Sequence, residues 1–421
     1  MTPELVKKVR ILAEAAKYDV SCSSSGVSRA NKDRGLGNAA GWGICHSFTA
    51  DGRCVSLLKI LLSNYCLYDC AYCVNRRSND VPRATFDSRE LAELTVEFYR
   101  RNYIEGLFLS SGVLKNPDYT MERMLAVLRE LRRGQRFGGY IHLKTIPGAG
   151  RELVRQAGLL ADRLSVNIEI PTERNLKMLA PEKDHQSVYR PMELIREGIA
   201  ENREDRRKYR STPRFAPAGQ STQVIIGASG ERDHQILGLS AELYDSSGLA
   251  RVYYSGFVPV NDYDDRLPRI KAAPLVRENR LYQADWLLRF YEFRAEEIAG
   301  ADFPDLDLEM DPKLAWAIRH PEYFPVDVNR DDYRRILRVP GIGLRSAKLI
   351  VMSRRRGRLR PEQLKKIGVI MKRASFFITC GARESSGINE LGPGRVRSLV
   401  LDKKKGRNDP RQLWLPFPEP L

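Results

Sequence analysis

No stretch of the chain approaches the roughly 18–20 apolar residues that a membrane-spanning helix needs, so an integral membrane protein is not expected. The opening, MTPELVKKVRILAEAAKYDV, has charges scattered through it and no apolar core of the kind a secretory signal carries. Internal repeats and long low-complexity tracts are absent as well. These absences point to an ordinary globular chain, and a cytoplasmic location is the expectation.

The composition agrees. Hydrophobic residues make up 42% and charged residues 29%, and 421 residues suffice for two or three domains with a sizeable buried core. In a cytoplasmic protein the seven cysteines are expected to be metal ligands or reactive thiols rather than disulfides. The formal net charge is +17, unevenly spread: residues 331–421 hold 22 Lys/Arg against 8 Asp/Glu, whereas residues 1–330 hold 48 against 45. A near-neutral body with a strongly basic last fifth fits a module for a polyanion, most simply nucleic acid. A solvated basic tail kept for solubility would give the same count.

Apolar spacing predicts a first helix over 3–18. A Gly/Ser-rich stretch then runs to residue 54, holds three cysteines, and reads as a loop needing an external staple. From residue 55, short apolar runs (VSLLKILLS, GLFLSS, GYIHLKTI, RLSVNIEI, TQVIIGAS, RVYYSGFVPV) alternate with helical stretches such as 88–102, 121–133 and 187–202. Repeated βα units make a parallel sheet, and right-handed crossovers close it into a full or partial (β/α) barrel over 55–300. The Arg-rich interval 202–219 is expected as a loop over one end of that barrel. A helix over 282–299 follows, then a Pro/Asp-rich linker over 301–330, a compact all-α module over 331–382 and a basic tail over 383–421. The expected class is α/β, a partial barrel with a C-terminal helical module.

Cys66, Cys70 and Cys73, spaced Cys-x3-Cys-x2-Cys, follow directly on the first apolar run. Three thiolates within eight residues can wrap one soft metal centre from a single loop. They leave a fourth position open, which in an iron–sulfur cluster is an iron free to bind something else. Structural zinc is the other reading of such a loop, but zinc completes four ligands in paired Cys-x2-Cys or Cys/His spacing, and none follows nearby.

This loop, with Tyr72 before its last cysteine, resembles the cluster loop of the radical S-adenosylmethionine (SAM) superfamily. The resemblance implies a partial barrel of the radical SAM type, with Cys66, Cys70 and Cys73 holding a [4Fe–4S] cluster whose open iron chelates SAM. An electron from a donor such as flavodoxin or ferredoxin then releases a 5′-deoxyadenosyl radical. It also implies SAM contacts at C-terminal ends of strands, where barrel sites are built. Ser110, Ser111 and Gly112 resemble the segment that meets the SAM amino group, although they depart from its common Gly-Gly-Glu form. Asn167 and Glu169 resemble the polar residues that reach the ribose or methionyl end. Ile225 and Gly227 resemble the motif whose backbone flanks adenine. Lys144 is a lesser candidate, equally readable as a barrel-rim ion pair. Several radical SAM groups carry a second cluster, and Cys22, Cys45, Cys54 and Cys380 are candidate ligands for such an auxiliary centre, with His46 as a substitute; buried free cysteine is the plainer reading.

The second motif is an apolar-periodic helix from Tyr333, the hairpin Pro340-Gly341-Ile342-Gly343, and another helix. It resembles the helix-hairpin-helix of DNA repair glycosylases, ligases and nucleases. There, glycines let the backbone approach closely and the N-terminal N–H groups of the second helix bind phosphate. Gly341, Ile342, Gly343, Arg345 and Lys348 are the corresponding nucleic-acid contacts, positioning without reading sequence. A degenerate second copy is expected over 364–373. A plain αα-hairpin is the alternative.

Cysteine loop, hairpin and the run LYQADWLLRFYEF together resemble the DNA modification/repair radical SAM proteins with a C-terminal helix-hairpin-helix, a family often associated with a partner resembling uracil-DNA glycosylase. That resemblance implies a radical SAM enzyme that modifies or repairs nucleic acid, DNA before RNA, on a flipped or single-stranded nucleotide. RNA (tRNA) modification and a non-catalytic iron–sulfur nucleic-acid-binding protein are the alternatives.

Overall fold

The computed structural model describes residues 2–16, 44–48, 54–380 and 387–402. They fall into two compact units, one of residues up to 231 with 242–274, the other of 232–241 with 275 onwards.

The first unit is built on one seven-stranded sheet in chain order: β1 (Ile44–Phe48), β2 (Cys54–Leu61), β3 (Gly106–Ser110), β4 (Tyr140–Lys144), β5 (Arg163–Ser165), β6 (Gln220–Ile226) and β7 (Arg251–Gly256). β1 pairs antiparallel with β2, and every later pair is parallel. Six sequential parallel strands with helical crossovers form a half-barrel. Ahead of the sheet, α1 (Pro3–Ala16) lies against β2 and buries Val9, Leu12, Ala13 and Ala16. The crossovers are α2 (Ser88–Arg100), α3 (Pro117–Arg129), α4 (Arg151–Leu160), the pair α5 (Glu173–Leu179) and α6 (His185–Lys208), and α7 (Asp233–Ser246). Several start on capping carboxylates or amides: Asp87 before α2, Asn116 before α3, Asp184 before α6.

Residues paired in register share a face of the sheet. One face carries Leu58, Ile60, Leu107, Leu109, Ile141, Leu143, Leu164, Val224, Ile226 and Val252, all essentially inaccessible. The opposite face carries Lys59, Phe108, Ser110, His142, Lys144, Arg163, Ser165, Ser221, Gln223 and Tyr253. A half-barrel of apolar runs therefore encloses a polar lining.

Three expectations are corrected in this unit. The Gly/Ser-rich stretch contains a strand, β1, that turn-forming composition hid. The run RLSVNIEI is a regular strand only over Arg163–Ser165; it rejoins the ladder as a single bridge, Glu169 opposite Val224, with Glu169 at φ +66. The Arg-rich interval is helical up to Lys208, as α6 continues through its strong helix formers before the chain turns into β6.

The second unit holds α8 (Leu275–Phe290), α9 (Ala295–Ile298), α10 (Pro312–Arg319), β8 (Val326–Asp327), α11 (Tyr333–Leu337), α12 (Leu344–Ser353), α13 (Pro361–Lys366), α14 (Met371–Ala374), β9 (Ile378–Thr379), α15 (Ile388–Leu391) and α16 (Pro393–Asp402). Residues 301–330, expected as a linker, are part of this unit: β8 pairs in parallel with β9, and Trp316, Tyr323, Phe324 and Phe377 stack edge to face. Pro and Asp there cap and start α10 rather than loosen the chain.

Candidate functional site

The cysteine loop leaves the end of β2 and is fastened to the end of β3. The N–H of Leu62 donates to Ser110 O (2.8 Å), that of Gly112 to Ser63 O (2.8 Å), and that of Leu67 to Val113 O (2.7 Å). Val113 N–H also donates to Cys66 Sγ at 3.4 Å. A Cβ at Gly112 would stand 2.3 Å from Tyr65 O, so only glycine allows this approach. Gly112 and Val113 thus sit beside Cys66. The Ser110 hydroxyl is buried without a hydrogen-bond partner, and that of Ser111 donates to Gly112 O.

The other half of the loop is held by residues that carry no sequence motif. Asn261, after β7, donates its amide to Ala71 O (2.6 Å) and Cys73 O (3.0 Å) and accepts from Asn79 Nδ2 (2.8 Å). Arg83 spans the carbonyls of Asn64, Asn75, Arg76 and Asn79. Arg76 bonds Asp69 through Nε and Nη2 and Asp264 through Nη1 (2.6 Å). Asp264 also receives two bonds from Arg266.

Cys70 and Ala71 pack among Ile170, Leu176, Leu179, Ala180, Ala228, Phe257 and Leu267, and Tyr72, Cys73 and Ile225 border the same cluster. Two of the SAM candidates, Tyr72 and Ile225, are therefore brought to the cysteines. Asn167 Nδ2 donates to Gln223 Oε1 (2.9 Å), and Lys144 pairs with Glu169 at 3.5 Å, the rim ion pair that was one reading of that lysine. Gly227 turns the chain after β6 with φ +85. Sequence reading missed Lys183, whose Nζ is 3.4 Å from Tyr72 Oη, and His142, whose Nε2 meets Ser165 Oγ at 2.9 Å in the polar lining. The available signal for His142 was the alternation Tyr-x-His-x-Lys along β4.

Burial pushes the Cys70 thiol up and that of Cys73 up to about 12, with the neighbouring thiols adding to the effect. Thiolates at Cys70 and Cys73 in this apolar pocket need positive charge beside them, which a bound metal centre supplies while deprotonating them. Among the described residues no three Cys, His, Asp or Glu side chains form a ready single-ion site. The donor set, three soft thiols within eight residues of one loop, fits an iron–sulfur cluster with an open position.

In the second unit, α11 and α12 flank the first hairpin, and α13 and α14 flank the second. Gly341 (φ +88) and Gly368 (φ +94) occupy corresponding turns, and Ile370 N–H donates to Gly341 O at 2.9 Å. Ile342 and Val369 are both buried. A Cβ at Gly341 would meet Ile370 O at 2.7 Å. Gly343 differs from expectation: its φ is −92, it is the N-cap of α12, and a Cβ there would meet only Tyr291 Oη at 3.8 Å. Arg345 and Lys348 lie in the first turns of α12.

Of the auxiliary-cluster candidates, Cys22 and the side chains of Cys45, His46 and Cys54 lie outside the described residues. Cys380 follows β9; its thiol donates to Leu359 O at 2.8 Å, and burial pushes it up.

Residues 60–201 match the sequence model of the radical SAM superfamily, so this part of the chain is a radical SAM domain. Such a domain works with a [4Fe–4S] cluster and SAM, and these are its cofactors. Among solved structures, the chain is similar to a crystal structure of HydG, a maturase of the [FeFe]-hydrogenase (15% identity, 54% of this chain, 48% of that one, TM-score 0.41). It is likewise similar to HydG from Carboxydothermus hydrogenoformans (14% identity, 54% and 50%, TM-score 0.42). The chain spans about half the length of these structures. Comparison with curated protein sequences gives no match. Among the described residues, no helix is long and apolar enough to cross a membrane.

Proposed function

We propose that the chain is a radical SAM enzyme that modifies or repairs nucleic acid, DNA in preference to RNA. The observation that carries the nucleic-acid half is the paired hairpin of the second unit, with Gly341 and Gly368 at matching left-handed turns in a chain end that holds most of the net positive charge. The polar lining of the half-barrel supports the same reading, since His142, Ser165, Asn167 and Gln223 offer hydrogen bonds to a polar substrate such as a nucleotide.

In this reading Cys66, Cys70 and Cys73 hold the cluster, and the bound cluster and SAM supply a hydrogen-abstracting radical. The chain's own part is positional. Ile170, Leu179 and Phe257 keep water from Cys70, Asn261 fixes the main chain at Ala71 and Cys73, and Gly112 lets the end of β3 close on Tyr65 and Cys66. Asn167, Glu169, Ile225 and Gly227 are the SAM contacts of the proposal. Arg345 and Lys348 add phosphate contacts at the hairpin. A flavodoxin or ferredoxin donor, a uracil-DNA-glycosylase-like partner and an auxiliary cluster on Cys22, Cys45, Cys54 and Cys380 belong to the same proposal.

The test is mass spectrometry of nucleosides from the DNA and RNA of cells with and without the gene. A nucleoside that disappears or accumulates in DNA supports the reading, one in RNA alone moves it to RNA modification, and no change in either rejects it. In parallel, reduced, anaerobically reconstituted protein should form 5′-deoxyadenosine or methionine from SAM, and Cys70→Ala should abolish that turnover.

A further inference from the structure

A buried ammonium group is costly unless it is paired. Lys313, in the first turn of α10, is 8% exposed, and among the described residues no carboxylate lies within ion-pair distance of its Nζ. The nearest acid in sequence, Asp311, pairs with Arg373 instead at 2.8 Å. Lys313 Nζ donates to Ile342 O, the hairpin carbonyl, at 2.6 Å, and lies 4.7 Å from the centre of the Tyr291 ring.

The peptide joining Ile342 to Gly343 is trans. Its carbonyl and its N–H therefore point in opposite directions, so a cation on Ile342 O sharpens Gly343 N–H as a donor on the far side. That side is the start of α12, whose N-cap, Gly343, has no side chain to accept the free N–H groups of the first turn. We propose that Lys313 is the buried counter-charge of a phosphodiester-binding site at the 342–344 turn, and that closing this site on a phosphate binds one proton. The inference rests on the hairpin being a phosphate grip, as proposed above.

Four groups face Lys313: the Tyr291 ring beyond α8, Asp311 before α10, Ile342 O of the hairpin, and Arg373 of α14. Burial dominates and pulls the ammonium pKa down to about 7; Asp311 favours the charged form and Arg373 opposes it. A phosphate across one peptide unit, in a medium of low dielectric, favours the charged form further. The pKa is thus higher in the bound state than in the free state. Below about pH 7 the lysine is charged in both states and affinity is level; above it, binding takes up a proton and affinity falls by up to about tenfold per pH unit.

The experiment measures binding of fluorescein-labelled single- and double-stranded DNA to the reconstituted full chain, by anisotropy at constant ionic strength from pH 6 to 9. The wild-type profile should bend near pH 7, and calorimetry in buffers of different ionisation enthalpy should find proton uptake at pH 8. Lys313→Met should bind more weakly with a flat profile. Lys313→Arg, which keeps the charge and guards against a misfolded methionine variant, should bind as tightly at pH 8 as at pH 6. A flat wild-type profile, or the same bend in all three proteins, overturns the role of Lys313 while leaving the hairpin reading intact. If Lys348→Ala and Gly343→Val leave DNA affinity unchanged, the hairpin reading itself fails, and this inference with it.

Discussion

The Asn261 amide nitrogen lies 2.6 Å from the carbonyl oxygen of Ala71 and 3.0 Å from that of Cys73, across 190 and 188 residues of chain. The turn between Cys70 and Cys73 is consequently shaped by a residue on the far side of the half-barrel. Asn261 and Ala71 are both buried, so the Ala71 carbonyl has no solvent to fall back on, whereas that of Cys73 also accepts from the Arg76 N–H at 3.3 Å. The first prediction follows from that burial. Asn261→Ala leaves the Ala71 carbonyl unsatisfied, at about 1–3 kcal/mol, and the Cys73 carbonyl with the Arg76 N–H alone; it should lower the melting temperature and the iron retained on reconstitution. Equal iron content in variant and wild type would show that the loop keeps its shape without this tie.

Gly112 makes a separate demand on the other half of the loop. A methyl group there would stand 2.3 Å from Tyr65 O, a main-chain atom that cannot swing aside. Gly112→Ala should cost about 1–3 kcal/mol and shift Cys66 away from Val113. Its readout is an altered electron paramagnetic resonance spectrum of the reduced cluster in protein that still folds. An unchanged spectrum at full iron loading would reject the requirement for glycine.

The two hairpin glycines should separate in their effects. Gly341 has φ +88 and a main-chain oxygen 2.7 Å from any Cβ, so Gly341→Ala should destabilise the second unit by at least about 1–2 kcal/mol. Gly343 has φ −92 and open space, so Gly343→Ala should leave stability within about 0.5 kcal/mol. Thermal unfolding and DNA affinity measured together distinguish them. Gly343→Ala should weaken binding without lowering the melting temperature, and a large loss of stability there would contradict the open geometry.

The Asp264 carboxyl is held well below the usual carboxylate range, by hydrogen bonds from Arg266 and then from Arg76. A depressed folded value means that the carboxylate stabilises the fold above its unfolded pKa of about 4 and loses that contribution as pH falls further. The melting-temperature gap between wild type and Asp264→Asn should therefore be full at pH 7, still present at pH 5, and narrower by pH 3. A gap that is constant over this range would mean that the aspartate acts by shape and not by charge.

The half-barrel was legible because parallel strands buried on one face leave short apolar runs, and the helices between them fix the hand of each crossover. The cysteine loop was legible because its three cysteines are neighbours in sequence, so their spacing already brings them together on one loop. The hairpin was legible for the same reason, since Pro340, Gly341 and Ile342 write a local turn. Gly343 was misread because sequence shows a glycine and not its φ.

What the tertiary structure decided lies in long-range partners and in register. Asn261, Arg76 and Asp264 are ordinary polar residues until the end of β7 is laid against the cysteine loop. His142 and Ser165 become a pair only when β4 and β5 align one residue against another. Residues 301–330 read as a linker from Pro and Asp content, whereas pairing of β8 with β9 makes them part of the second unit. Lys313 belongs to no sequence motif, and only packing reveals that it reaches the hairpin carbonyl. Composition and spacing record what a segment does by itself. A buried charge or a borrowed hydrogen bond depends on which distant segment arrives beside it, and that is a property of the folded chain alone.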